Sequence, residues 1–549
     1  MNQPKTNPMA QAALLLLGAA FFLPFLGQVH LFDWDEINFA EAAREMLATG
    51  DWLTVRINYE PFWEKPPLFI WMQALSMKLL GVGEYAARLP NALAGMLTLL
   101  VLYRQGTSLY DSRFGWLWAL SYLGSVLPFF YFKSGIIDPW FNLFIFLGVT
   151  HLARFADPRR MFHKGRDLLL SAAFVGLAVL TKGPAGLLIF LLAAGFYRVL
   201  FGFGHRLRLV QVLAFGGVLG VVGGFWFLLQ AATGNWQTIQ DFVVYQVRLF
   251  STKDAGHGGF LLYHFVVLLL GVFPASLLAL RSFRWDDSDS VAQQAARRWM
   301  LVLFWVVLVL FTIVSTKIAH YSSMCYFPLT YLAARTLHKV EREGWRLGPW
   351  LKGGLLAMGL LWAAFPAALP LVERNKEAIL AAGWVKDRFA AGNLEASVHW
   401  SGLEPLGGLV LLLSLGGGLW LSGRGRAWGH DLMLLGGAVF LLATTALVVP
   451  RVERYTQNAV VEFYQSIAGQ DAYVASRYKS YAHLFYARVP DHGRPEAYEL
   501  PWLMQTPLDK PVYVVAKNTQ AEALEAEYPF LLKIEAKNGY VFYRKPPSR

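Results

Sequence analysis

Apolar runs of roughly 18 residues, interrupted by charged clusters, recur along most of the 549-residue chain. A stretch of that length matches the hydrocarbon thickness of a bilayer, so the pattern specifies a polytopic α-helical membrane protein rather than a string of soluble domains. Thirteen candidate transmembrane helices lie near 10–29, 88–110, 115–133, 139–154, 168–181, 184–200, 209–230, 260–280, 299–315, 320–336, 349–371, 403–421 and 431–450. Composition agrees, since 56% of the residues are hydrophobic and 16% charged, against about 25% charged in soluble domains. Aromatic residues at 15% exclude disorder. The single cysteine, Cys325, excludes a disulfide framework and a Cys-rich metal site.

The net charge of +12 is not read as a nucleic-acid footprint, because the cations cluster in alternate connections between spans. Arg104 with Arg113, then Arg154, Arg159, Arg160, Lys164 and Arg166, begin a parity that continues through Arg297, Arg298, Arg335, Lys339 and Arg424. With thirteen spans every such cluster falls on the side of the N-terminus, which is then cytoplasmic. Only Lys5 precedes the first run and no small-x-small cleavage site follows it, so it reads as an uncleaved anchor. The expectation is an inner (plasma) membrane protein with a membrane domain at 1–450 and a periplasmic α/β domain at 451–549. In that tail, 511–516 reads as a strand, 521–528 as a short helix, and 531–535 with 540–543 as a hairpin around Asn538-Gly539.

The chemistry concentrates in the external loop 30–87. It contains Asp35-Glu36, a helical pattern over 36–48 that reads as interfacial, Gly50-Asp51-Trp52, and Glu64-Lys65 ahead of Pro66-Pro67, where a second amphipathic stretch begins. Asp35 stands where a residue would cap that first helix, but capping does not account for the neighbouring acids and aromatics. Asp138, ahead of Pro139, has a capping reading too. Lys182, Lys317 and Tyr321 fall in external connections, and His257 lies in a Gly-rich external segment where it reads as a solvated loop residue or as a metal ligand. There is no Walker loop and no GxGxxG strand–turn–helix, hence no nucleotide. Lysines set among carboxylates at one membrane face suit a lipid phosphate, with a carboxylate to assist transfer to an acceptor.

Asp35-Glu36 through Arg44-Glu45-Met46, Gly50-Asp51-Trp52, Glu64-Lys65-Pro66-Pro67 and Arg88-Leu89-Pro90 resemble the first external loop of type C membrane glycosyltransferases. They are most similar to the bacterial relatives of protein O-mannosyltransferases and of the aminoarabinose transferase that modifies lipid A. Asp138-Pro139, Thr181-Lys182-Gly183 and Lys317 to Pro328 match in order. The resemblance implies Asp35 as principal catalytic carboxylate and Asp138 as a second acid. It implies Lys65, Lys182, Lys317 and Tyr321 around the lipid phosphate, and Glu64 with His257 as ligands of a divalent metal such as zinc. It also implies a polyprenyl-phosphate (undecaprenyl-phosphate) sugar donor and a lipid A, glycan or protein acceptor. Asn38 replaces an arginine of the aminoarabinose transferases, and Phe62 a tyrosine. The competing reading, a lipid-linked substrate flippase or transporter, calls for charges deep within spans and an internal repeat, and the sequence shows neither clearly.

Overall fold

A computed structural model of the protein describes residues 7–159, 163–204, 207–251, 259–284, 286 and 288–548. Each apolar run falls on a helix or on helices that meet at a break. The first is α1 (Pro8–Phe22). The long loop then carries α2 (Asp35–Thr49), a two-stranded hairpin of β1 (Arg56–Ile57) and β2 (Glu60–Pro61), and α3 (Leu68–Leu80). Then follow α4 (Glu84–Leu109), α5 (Ser112–Leu123), α6 (Val126–Tyr131), α7 (Asp138–Ala156), α8 (Lys164–Lys182) and α9 (Ala185–Phe201). Two runs are bent pairs: α10 (Leu209–Gly223) with α11 (Phe225–Ala232) at 62°, and, beyond α12 (Trp236–Ser251), α13 (Tyr263–Gly271) with α14 (Ala275–Ser282) at 108°. The remaining runs are α15 (Val291–Ile313), a 3-10 turn (Ala319–Cys325) leading into α16 (Tyr326–Arg342), α17 (Pro349–Arg374), and then, after the short α18 (Lys376–Ala381) and α19 (Arg388–Leu394), α20 (Glu404–Gly423) and α21 (Trp428–Leu447). Among the described residues, five helices are long and apolar enough to cross a membrane, or up to seven if each bent pair is one span.

Several clustered cations at one end of the bundle are buried or half-buried and neutralised rather than free in loops. Arg113 bonds Glu341 and Asp431, Arg335 bonds Asp289 at 2.6 Å, and Lys339 meets Asp286, Asp289 and Glu343. Arg297 donates to the carbonyls of Ser282, Phe283 and Arg284 at the end of α14, where helix carbonyls lack partners.

The C-terminal chain builds a four-stranded sheet in the order β3-β4-β6-β5: β3 (Tyr473–Ser476), β4 (Val512–Lys517), β5 (Leu532–Lys537) and β6 (Tyr540–Lys545). The expected hairpin turns at Asn538 and Gly539, both at positive φ, as a two-residue turn between twisted strands requires. β3, which pairs in parallel with β4, was not among the expected strands. This sheet does not stand apart from the external loop. Ile37, Ala40, Met46 and Ile70 share one buried cluster with Val460, Phe485, Val515 and Phe542.

That shared core changes the character of α2. The helix forms as expected and stops at Gly50 in the left-handed conformation. Its charged face, expected at a solvated interface, is covered: every residue from Glu36 to Met46 is buried. Arg44 answers Glu41 with two bonds of 2.6 and 2.7 Å and also donates to the Val489 carbonyl. Glu45 accepts the Tyr59 N–H at 2.8 Å. Burial, then the Glu41 carboxylate, pushes the Glu45 carboxyl up to about 9.

This arrangement gives the fold a pH signature. Glu45 is protonated in the folded chain up to about pH 9 and ionised in the unfolded chain above its ordinary value of 4.5. Between these limits the unfolded state binds fewer protons, so Glu45 makes stability fall as pH rises. Glu45→Gln keeps an acceptor for Tyr59 and removes the ionisation. Thermal unfolding of the detergent-solubilised variant should lose part of the decline between about pH 5 and 9. Identical slopes in both proteins would contradict the assignment.

Candidate active site

Asp35 and Asp138 are each the first residue of a helix, and neither side chain caps it. What fixes their places is Glu36. Its carboxylate receives Arg88 through two bonds of 2.8 and 2.9 Å, the Phe32 N–H at 2.9 Å, and the N–H of Gly135. Arg88, on α4, also donates to the carbonyls of Leu26, Val29 and His30. One buried ion pair thereby joins the segment after α1, the start of α2, α4 and the turn that leads to Asp138. Burial works against the ionised Glu36, and the Arg88 guanidinium outweighs it, holding the carboxyl below its usual range. Gly135 is where the turn comes closest: a Cβ there would lie 3.2 Å from Gln73 Nε2 and 3.5 Å from Glu36 Oε1.

On this frame the acids and cations converge. Lys182 Nζ donates to Asp138 Oδ1 at 2.7 Å, and its ammonium lies over the rings of Phe141 and Tyr321 at 5.4 and 5.6 Å. Asp138 is buried, so the pair is shielded from screening. The chain turns away after Lys182 because Gly183 adopts φ 84°, packed against Phe242. Asp35 Oδ2 lies 3.7 Å from His320 Nε2 and keeps 36% of its side chain exposed. Lys65 is half-buried, with its ammonium 5.7 Å from the Tyr245 ring. Burial pulls it below the ordinary lysine value; Glu64, Asp35 and Asp138 oppose that and Lys182 adds to it. Among the described residues the Lys65 ammonium has no hydrogen bond or ion pair. A cation so placed favours an incoming anion.

Helix α12 lies over this cluster, with Gln246 donating to the Glu64 carbonyl at 3.2 Å and Phe242 against Gly183. Beside Asp35 opens a cavity of about 820 Å³. Asp33, Asp35, Glu36, Arg88, Lys133 and Lys479 are its charged lining residues, with His320 beside them and Phe25, Phe32 and Phe130 among its apolar walls.

Asp35, Asp138, Lys182, Tyr321, Glu64 and Lys65 therefore come to one region, and Lys317 is engaged differently from the expectation. Its ammonium donates to the carbonyls of Phe311, Thr312 and Val314 at 3.0, 2.7 and 2.6 Å, closing the frayed end of α15. His257 lies outside the described residues. Among the described residues no three His, Cys, Asp or Glu side chains gather as metal ligands. His320 went unassigned in the sequence, although it stands between Lys317 and Tyr321 in the matching element. Asn38 is buried and, among the described residues, its Oδ1 has no hydrogen-bond partner, and Phe62 packs against the loop core.

A family model for dolichyl-phosphate-mannose-protein mannosyltransferases matches residues 64–227. The undecaprenyl phosphate-alpha-4-amino-4-deoxy-L-arabinose arabinosyl transferase of Pectobacterium carotovorum is 27% identical over 434 residues, 74% of this chain and 75% of that protein. The enzyme of the same name from Yersinia enterocolitica is 27% identical over 430 residues, covering 73% and 75%. The crystal structure of ArnT from Cupriavidus metallidurans bound to undecaprenyl phosphate superposes with a TM-score of 0.75 over 98% of both chains at 20% identity. Its apo state gives 0.73 over 97% at 19% identity. The resemblance first carried by the loop motifs thus extends along most of the chain, which is similar in sequence to the undecaprenyl-phosphate aminoarabinose transferases and has the fold of a solved ArnT.

Proposed function

We propose that the chain is an integral-membrane glycosyltransferase that moves a sugar from a polyprenyl-phosphate donor to an acceptor at the periplasmic face. In this reading the thirteen apolar runs are thirteen spans, the N-terminus is cytoplasmic, and residues 451–549 form a periplasmic α/β unit. The observation that carries it is the gathering of Asp35, Asp138, Lys65 and Lys182 at one end of an apolar bundle. Lys65 and Lys182 hold the donor phosphate, with Tyr321 beside Lys182. As the bond between the anomeric carbon and the phosphate oxygen breaks, the two ammonium groups take up the charge left on the phosphate. The acceptor oxygen forms the new bond to that carbon, and any proton it carries passes to Asp35. Asp138 keeps Lys182 oriented through their 2.7 Å bond.

The sequence relatives support an undecaprenyl-phosphate-linked aminoarabinose as donor. The largely apolar walls of the cavity beside Asp35 favour a lipid acceptor of the lipid A class over a glycan or a protein. Glu64 and His257 as ligands of a divalent ion remain part of the proposal, and no step depends on them.

The direct test is transfer of radiolabelled sugar from undecaprenyl phosphate to lipid A in proteoliposomes. Asp35→Asn should lower turnover at least about a hundredfold, the scale of a lost general base, with the unfolding temperature unchanged. Full turnover in the folded variant would refute the assignment.

The two lysine environments predict a separation. Lys65→Ala should weaken undecaprenyl phosphate binding by about 1.5–3 kcal/mol with little change in stability, since it removes a charge-assisted contact to ligand. Lys317→Ala should chiefly lower the unfolding temperature, because it frees helix-end carbonyls. Equal loss of affinity in both would return Lys317 to the phosphate site.

A further inference from the structure

We infer that Lys479, on the C-terminal chain, is an acceptor-side residue whose ammonium takes an anionic group of the acceptor while Asp35 faces the oxygen to be glycosylated. The inference rests on the proposed function and adds to it a residue from outside the membrane bundle.

The segment 479–481 is bound to the two residues that precede Asp35. Lys479 Nζ sits 4.2 Å from the centre of the Trp34 ring, and the Tyr481 ring packs on the same indole at 4.7 Å. Ser480 and the Tyr481 N–H face the Asp33 carboxylate. Trp34 is thereby held by the C-terminal chain, and it and Lys479 line the same cavity as Asp35 and His320.

Of that cavity's cations Lys479 stands out, and its acids other than Asp35 are already engaged: Asp33 by Ser480 and the Tyr481 N–H, Glu36 by Arg88. Arg88 is committed to Glu36 and to three carbonyls. Lys133 donates to the carbonyls of Phe22 and Pro24 at 3.2 and 2.6 Å. Lys479 is exposed, and among the described residues its ammonium has no hydrogen bond or ion pair, only the indole face. A mobile ammonium steadied by an aromatic face, at the rim of a cavity with apolar walls, suits the charged end of an amphiphile. The donor phosphate has its own cations, Lys65 and Lys182, grouped with Asp138. Asp35 is common to both regions, so donor and acceptor charges can be held separately.

Binding of fluorescent lipid A to the full-length protein in nanodiscs, without donor, decides the matter. Lys479→Gln should weaken binding by about tenfold and Lys479→Arg by no more than about threefold, as expected for a lost or retained charge-assisted contact. Undecaprenyl phosphate binding and the unfolding temperature should be unchanged, and dephosphorylated lipid A should bind both proteins alike. Equal lipid A affinity for the unaltered protein and Lys479→Gln would overturn the inference. So would no detectable binding, parallel loss of undecaprenyl phosphate, or displacement by inorganic phosphate alone with the same dependence on Lys479. Failure of the unaltered protein to transfer sugar to lipid A would instead refute the proposed function, while the binding comparison still decides Lys479.

Discussion

The buried pair of Glu36 and Arg88 organises the end of the molecule that carries the candidate site. A carboxylate and a guanidinium out of water are tolerable only when each is paired and its remaining hydrogen-bonding capacity met. Here the partners that meet it are the backbone of the segment after α1, the N–H of Phe32 and the N–H of Gly135. Satisfying one ion pair therefore fixes three separate segments. Asp35 is the residue before Glu36, and Asp138 lies three residues after Gly135, so the pair sets the spacing of the two acids.

The same economy explains the role of the C-terminal chain. Its sheet and the helices before it bury the charged face of α2, so Arg44 and Glu41 must find one another and the Val489 carbonyl rather than water. A helix that would lie loosely on a membrane surface becomes a fixed wall. Asp35 then stands between two differently charged regions, Lys65 with Lys182 and Asp138 on one side and the cavity carrying Lys479 on the other. In the proposed reaction this arrangement would keep two anionic substrates apart and limit their mutual repulsion.

Much of this was legible from local pattern. The apolar runs gave the helices, the spacing of Ile37, Ala40 and Ala43 gave α2, and Asn538-Gly539 gave the last hairpin. Asp35, Asp138, Lys65 and Lys182, which stand out because charge at a membrane face is costly unless it works, do come to one region. What escaped depends on contacts distant in the chain. α2 reads as half-solvated until residues near 460–542 cover it. Lys317 reads as a free cation because its function comes from α15 ending at Ile313, a break whose carbonyls only the folded chain presents to it. His320 gains meaning from Asp35, nearly 300 positions away in the chain. The cations of the opposite end read as loop charges, yet Arg335 and Lys339 are buried on α16 among acids from the connection between α14 and α15.

The central claim is that one ion pair holds both acidic segments. Hydrogen exchange of the solubilised protein, comparing Glu36→Gln with the unaltered chain, tests it most directly. Removing one charge of a buried pair leaves the other uncompensated, at a cost of about 3–5 kcal/mol. Faster exchange is expected together in residues 26–40 and in 133–140, with the strands from Val512 to Lys545 unaffected. Exchange that rises only around residue 36, leaving 133–140 protected as before, would show that the two acids are positioned independently and would contradict the account.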